Sequence, residues 1–160
     1  MISPSSRKRL LGSRSGNVMI EFALSASMLV TLLLGTFQFG YAFYKYNALV
    51  NAVRGGTRYA SMTKISNSGN ASVPTAFSDA VKNVVVYGVA SPGASPVPVV
   101  PGLATSNVNV AVTWDAKNVP LTVSVNITNY DIDAVVKTFT LSNKPVLAMP
   151  FFGQYCSTSC

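Results

Sequence analysis

Residues 17–44, NVMIEFALSASMLVTLLLGTFQFGYAFY, form an apolar run broken by a single charge, Glu21. The run exceeds the roughly 20 residues that cross a bilayer core as a helix. Six aromatic residues, Phe37, Phe39, Tyr41, Phe43, Tyr44 and Tyr46, gather at its far end, where an interfacial belt lies. The pattern then changes from uniformly apolar to one-sided. Leu49, Ala52, Val53, Gly56 and Ala60 recur at helical spacing, with Asn47, Asn51, Arg54 and Arg58 on the opposite side. The spacing predicts an amphipathic continuation whose apolar face packs on a folded domain. One helix from about Met19 to Ser61 would be on the order of 65 Å long at 1.5 Å per residue. Gly55 and Gly56 each weaken it by about 1 kcal/mol relative to Ala, which invites a bend there.

Residues 66–74 (SNSGNASVP) have the composition of a linker. Phe77, Ala80, Val81, Val84 and Val85 predict a helix over 75–87, with Gly88 at the C-cap. The run Val84-Val85-Val86 leaves a strand open as the alternative. Pro92, Pro96, Pro98 and Pro101 make 88–106 a loop, and its length suggests an exposed functional or mobile one. The last third alternates as strands do: Val108, Val110, Val112 and Trp114, then Leu121, Val123, Val125 and Ile127, separated by turn residues 115–118. Pro120 opens the second of these. A third strand is expected over 134–141 and a short fourth over 146–151. Such a sheet needs a cover, and the amphipathic helix supplies one. The expected class is α+β: a long N-terminal transmembrane and amphipathic helix on an antiparallel sheet of three to four strands, plus one short helix. Three regions follow: a basic leader (1–16), the apolar and amphipathic helix (17–62) and an α+β domain (63–160).

Charge changes this picture in one respect. The chain of 160 residues has 12 Lys and Arg against 5 Asp and Glu. Four of the basic residues, Arg7, Lys8, Arg9 and Arg14, stand before the apolar run, leaving eight against five acids elsewhere. No basic stripe remains for a nucleic acid to bind. By the positive-inside rule the leader is cytoplasmic and the domain lies on the other side. A cleaved secretory signal shows the same order of charge and apolarity. Its apolar core, however, is only about 7–15 residues long and is followed by a small-residue cleavage site. A retained single-pass anchor fits better. With no His, neither a His-based triad nor a His-ligated zinc site can be assembled, so no enzyme, cofactor or metal is expected.

One spacing carries function. The leader ends at Gly16, Asn17 follows, and Glu21 stands one helical turn further on inside the apolar run. An ionised carboxylate in a membrane helix costs at least about 2.5–3.5 kcal/mol and needs a partner. Cleavage after Gly16 would give Asn17 an α-ammonium, and Glu21 of one subunit could pair with that group on a neighbour and fix the axial stagger. The bland alternative is a Glu that snorkels to the headgroups.

The segment Ser15-Gly16-Asn17-Val18-Met19-Ile20-Glu21-Phe22-Ala23-Leu24 resembles the processing signal of type IV pilin-like proteins. With Gly35-Thr36-Phe37-Gln38-Phe39-Gly40 and Ala52-Val53-Arg54-Gly55-Gly56-Thr57-Arg58-Tyr59-Ala60, it is similar to the TadE-like family of tight-adherence (Flp) pilus systems. The resemblance covers Gly16 to about Ala60. It implies a minor pilin or pseudopilin in the bacterial inner membrane, or in a pilus outside the cell. Its implied partners are other pilin or pseudopilin subunits through the N-terminal helix, an inner-membrane assembly platform and a prepilin peptidase. Gly16 and Asn17 would be the processing site and Glu21 the assembly residue. The alternatives are a major filament subunit, and, less favoured, a signal-anchored periplasmic binding domain.

Cys156 and Cys160 fall on the side expected to be oxidising, where a local disulfide is favoured over a metal or redox pair. Asp131-x-Asp133 lacks the further ligands of a calcium loop and reads as a solvated turn. Arg54 and Arg58 read as a solvated helix face, with an acidic partner as the lesser alternative.

Overall fold

The computed structural model describes residues 14–66, 71–133 and 138–156. The leader (1–13), 67–70 of the expected linker and the C-terminal 157–160 lie outside the described residues. The chain divides into two units, Met1–Phe37 and Gln38–Cys160.

The elements, in chain order, are α1 (Arg14–Met62), β1 (Ile65–Ser66), α2 (Thr75–Tyr87), a 3-10 turn (Thr105–Asn107), β2 (Val108–Trp114), β3 (Pro120–Ile127), β4 (Tyr130–Asp133), β5 (Thr138–Leu141), β6 (Val146–Pro150) and β7 (Tyr155–Cys156). The class is α+β, as the patterning predicts.

From Gly16 to Phe37, α1 is exposed along its length, apart from half-buried Ala26 and Gly35. Ser27 donates its hydroxyl to the Leu24 carbonyl at 2.9 Å, Thr31 to Ser27 at 2.8 Å and Thr36 to Leu32 at 2.9 Å. These groups are satisfied inside their own helix and need no water.

In the second unit α1 becomes one-sided. Leu49, Val53, Gly56, Thr57 and Ala60 are buried, while Asn47, Asn51, Arg54 and Arg58 are exposed. The helix is unbroken at Gly55-Gly56, so the bend those glycines invite is not seen as an interruption. Thr57 returns its hydroxyl to the Val53 carbonyl at 2.7 Å, which is how a polar side chain is tolerated in the core. The helix over 75–87 has the expected bounds, and the strand alternative for Val84–Val86 is excluded. Phe77, Val81 and Val85 recur one turn apart and are buried with Val86. Gly88 ends α2 at φ 77°, its N–H donating to the Val84 carbonyl at 2.9 Å.

The main sheet is antiparallel in the order β2-β3-β6, with β3 central. Val123, Val125 and Ile127 are fully buried on its inner face. Leu121, expected to join them, is 54% exposed. The register shifts between Thr113 and Trp114 so that Trp114 pairs with Pro120, and the shift interrupts the alternation. In the turn, the Asp115 carboxylate accepts from the Lys117 N–H at 2.7 Å and the Val119 N–H at 2.8 Å.

Two further expectations need correction. The third strand covers only Thr138–Leu141 of its expected range; 134–137 lie outside the described residues. It pairs not with the main sheet but with β4, a strand the patterning missed because two aspartates occupy its four positions. The 88–106 loop is not uniformly exposed. Val100 and Leu103 are buried, and the Val99 N–H donates to the Val86 carbonyl at 2.7 Å. This loop thus serves as a wall of the core. The C-terminal β7 pairs in parallel with β1 just after α1 ends, joining segments distant in sequence.

Candidate functional site: the N-terminal helix and its aromatic end

Gly16 and Asn17 lie in the first turn of α1, where backbone N–H groups have no intrahelical partner and helix ends fray. Glu21, one turn after Asn17, is exposed among apolar residues that are equally exposed: Met19 is 73% accessible and Phe22 73%. Among the described residues Glu21 has no ion-pair or hydrogen-bond partner. The structure therefore brings Gly16, Asn17 and Glu21 onto adjacent turns of one helix. It does not test the disulfide, since Cys160 and the Cys156 side chain lie outside the described residues. No metal-binding cluster of His, Cys, Asp and Glu occurs among the described residues. Asp131 and Asp133 accept hydrogen bonds from Thr140 at 2.6 Å and Thr138 at 3.2 Å across the β4–β5 hairpin, the role of ordinary strand neighbours.

Among those residues α1 is also the one helix long and apolar enough to cross a membrane, and none of its most apolar stretch is buried in protein. That burial distinguishes it from a core helix of similar composition, and it is consistent with single-pass anchoring.

The aromatic end of the run is more than a belt. Phe39, Ala42, Phe43 and Tyr46 form one wall of an open apolar groove of about 330 Å³. Ile132, Phe139 and Leu141 of β4 and β5 form the other. Beside it, the Lys45 ammonium sits 5.2 Å from the centre of the Tyr41 ring, a cation–π contact. Tyr130, buried on the same hairpin, donates its hydroxyl to the Pro101 carbonyl at 2.8 Å. Burial pushes its phenol above the ordinary 10.0, and the Lys45 ammonium opposes the shift.

The segment 52–60 resolves into two roles. Ala52, Gly56 and Ala60 fall one turn apart on the core side, whereas Arg54 and Arg58 face outward. A Cβ built on Gly56 would run into Cγ2 of Val85, with the Val81 carbonyl 3.7 Å away. The small-residue stripe is thus where α1 lies close against α2, and the glycine is required by close approach rather than by a positive φ.

Residues 16–58 match the family model of TadE-like proteins. The TadE-like segment runs from the Gly16-Asn17 step through Glu21 and the apolar run to the close-packed stripe. Comparison with curated proteins and with solved structures returned no match.

The patterning located Glu21 and the amphipathic face but missed the hairpin wall of the groove. Its signal was the alternation of Tyr130 and Ile132 with Asp131 and Asp133, too short to stand out.

Proposed function

We propose that this TadE-like chain is a minor pilin or pseudopilin-like structural protein that assists assembly of a tight-adherence pilus, with no enzymatic activity. Its leader faces the cytoplasm, α1 is anchored in the inner membrane, and the α+β unit lies on the extracytoplasmic side. The observation that carries this reading is an apolar helical stretch exposed from Gly16 to Phe37 except at Ala26 and Gly35, with one acid, Glu21, four residues after Asn17 and without a partner among the described residues. A helix exposed on all sides has its contacts still to make, with lipid or with other helices. An acid within it is stable only when paired, and the α-ammonium of a neighbour cleaved after Gly16 is the nearest complementary group in register. A prepilin peptidase would create that group, and pilin or pseudopilin subunits on the assembly platform would supply the neighbours. The unpaired Arg54 and Arg58 give the unit a basic outer face and no catalytic group.

N-terminal sequencing and intact-mass spectrometry of the mature protein test the reading directly. Asn17 as first residue is the expected result, and a full-length chain or a cut beyond the apolar helix would remove its basis. Subunit stoichiometry in purified filaments separates the minor role from that of a major subunit, which would be present in many copies.

A further inference from the structure

The β4–β5 hairpin is two-faced. Cross-strand pairing puts Ile132 opposite Phe139 and Tyr130 opposite Leu141 on the groove side. Asp131 with Thr140 and Asp133 with Thr138 occupy the other side, exposed except where the hairpin hydrogen-bonds to itself. On the helix wall Phe39 is 61% and Phe43 67% exposed, and Phe139 is 36% exposed across from them. Large apolar side chains left open in a continuous patch mark an interaction surface.

Chain continuity identifies what covers it. A span of twenty residues over 18–37, with Glu21 its one charge, fills the hydrocarbon core, and at 1.5 Å per residue Phe39 and Phe43 follow about 3–9 Å further along the helix. That interval is the depth of the interfacial layer, roughly 5–8 Å thick on each side. The groove's neighbours, Tyr41 and Lys45, are of the types that sit at headgroups with their polar tips outward. We propose that the groove is a lipid contact: the apolar face of the β4–β5 hairpin rests in the bilayer interface, with acyl chains between Phe39, Phe43 and Phe139. This rests on α1 spanning the membrane. It adds a second membrane attachment contributed by the folded unit.

The test places a tryptophan reporter at 139 by Phe139→Trp, in a Trp114→Phe background, within the full chain reconstituted in phosphatidylcholine vesicles. Bromines on shallow or deep acyl carbons probe contact with lipid, and acrylamide probes contact with water. Val30→Trp reports on the span and Thr138→Trp on the opposite face of the hairpin. The expected results are loss of Phe139→Trp emission to shallow bromines with little loss to acrylamide, and the reverse for Thr138→Trp. Val30→Trp should be quenched most by deep bromines. If Val30→Trp escapes lipid quenching, the span itself fails and the proposal with it. If Val30→Trp is quenched while Phe139→Trp responds only to acrylamide, the hairpin contact alone is overturned. A Phe139→Trp reporter shielded from both quenchers means that protein covers the groove, and equal lipid quenching at 138 and 139 means that no face is selected; either result also overturns it.

Discussion

Replacing Gly56 by Ala sets two effects of known size against each other. In an exposed helix interior, Gly→Ala stabilises by about 1 kcal/mol. Here the added methyl meets Cγ2 of Val85, while the Cβ of Val85, 3.5 Å away, stands at ordinary contact distance, so it is the valine methyl that has to give way. Valine in a helix has one strongly favoured rotamer, and both residues are buried in the core between α1 and α2. Overpacking of this kind costs about 1–3 kcal/mol, so the net change is a destabilisation of about 0–2 kcal/mol. The decisive comparison is Val85→Ala. Alone it removes two fully buried methyls, about 1.6 kcal/mol of transfer energy plus a cavity term. In that background Gly56→Ala places a methyl in vacated space and gains helix propensity, so it should stabilise by about 1–2 kcal/mol. The effect of Gly56→Ala thus shifts toward stabilisation, with a coupling of about 1–4 kcal/mol between contacting residues. Urea unfolding of the four full-length proteins in detergent, followed by near-UV circular dichroism, reads the cycle. Stabilisation by Gly56→Ala in the native background, or additivity of the two changes, would refute the close approach and leave the glycine unexplained.

Replacing Glu21 by Ala should leave membrane insertion intact or improved while abolishing co-purification with partner subunits, by roughly 10²-fold to 10³-fold or more if a buried pair worth about 3–5 kcal/mol is broken; normal assembly would leave Glu21 a snorkelling residue. Tyr130 is protonated more tightly when folded than when unfolded. Its contribution is therefore complete below pH 10, and is lost as the pH rises from the unfolded phenol's value toward the higher folded one. Tyr130→Phe should flatten the alkaline decline in stability, and an unchanged slope in denaturant titrations between neutral and strongly alkaline pH would contradict this. Alkylation of the non-reduced protein should label neither Cys156 nor Cys160, and labelling of both would exclude the disulfide.

Much of the molecule was legible because it depends on local chemistry. The apolar run, its single acid and the basic leader are contiguous in sequence, and a membrane helix is specified by length and apolarity alone. The bounds of α2 follow from Phe77, Val81 and Val85 at one-turn spacing and from a glycine able to take φ 77°. The alternation of β2 and β3 likewise reports a buried face, since strand side chains point to opposite sides in turn.

What escaped the sequence is what depends on partners far along the chain. Nothing in Gly55-Gly56 tells a weak point from a contact; the distinction is made by Val85, about thirty residues later, whose side chain occupies the space a Cβ would need. The 88–106 loop reads as exposed until Val100 and Leu103 find a core that α2 and the sheet build elsewhere. β4 is too short and too acidic to announce itself, and only pairing with β5 turns its alternate residues into an apolar wall facing the aromatic end of the apolar run. Sequence alone determined which segments are apolar and at what period. Tertiary structure decided which of those surfaces are covered by the chain itself and which remain open, because burial is a property of pairs of segments and not of either one.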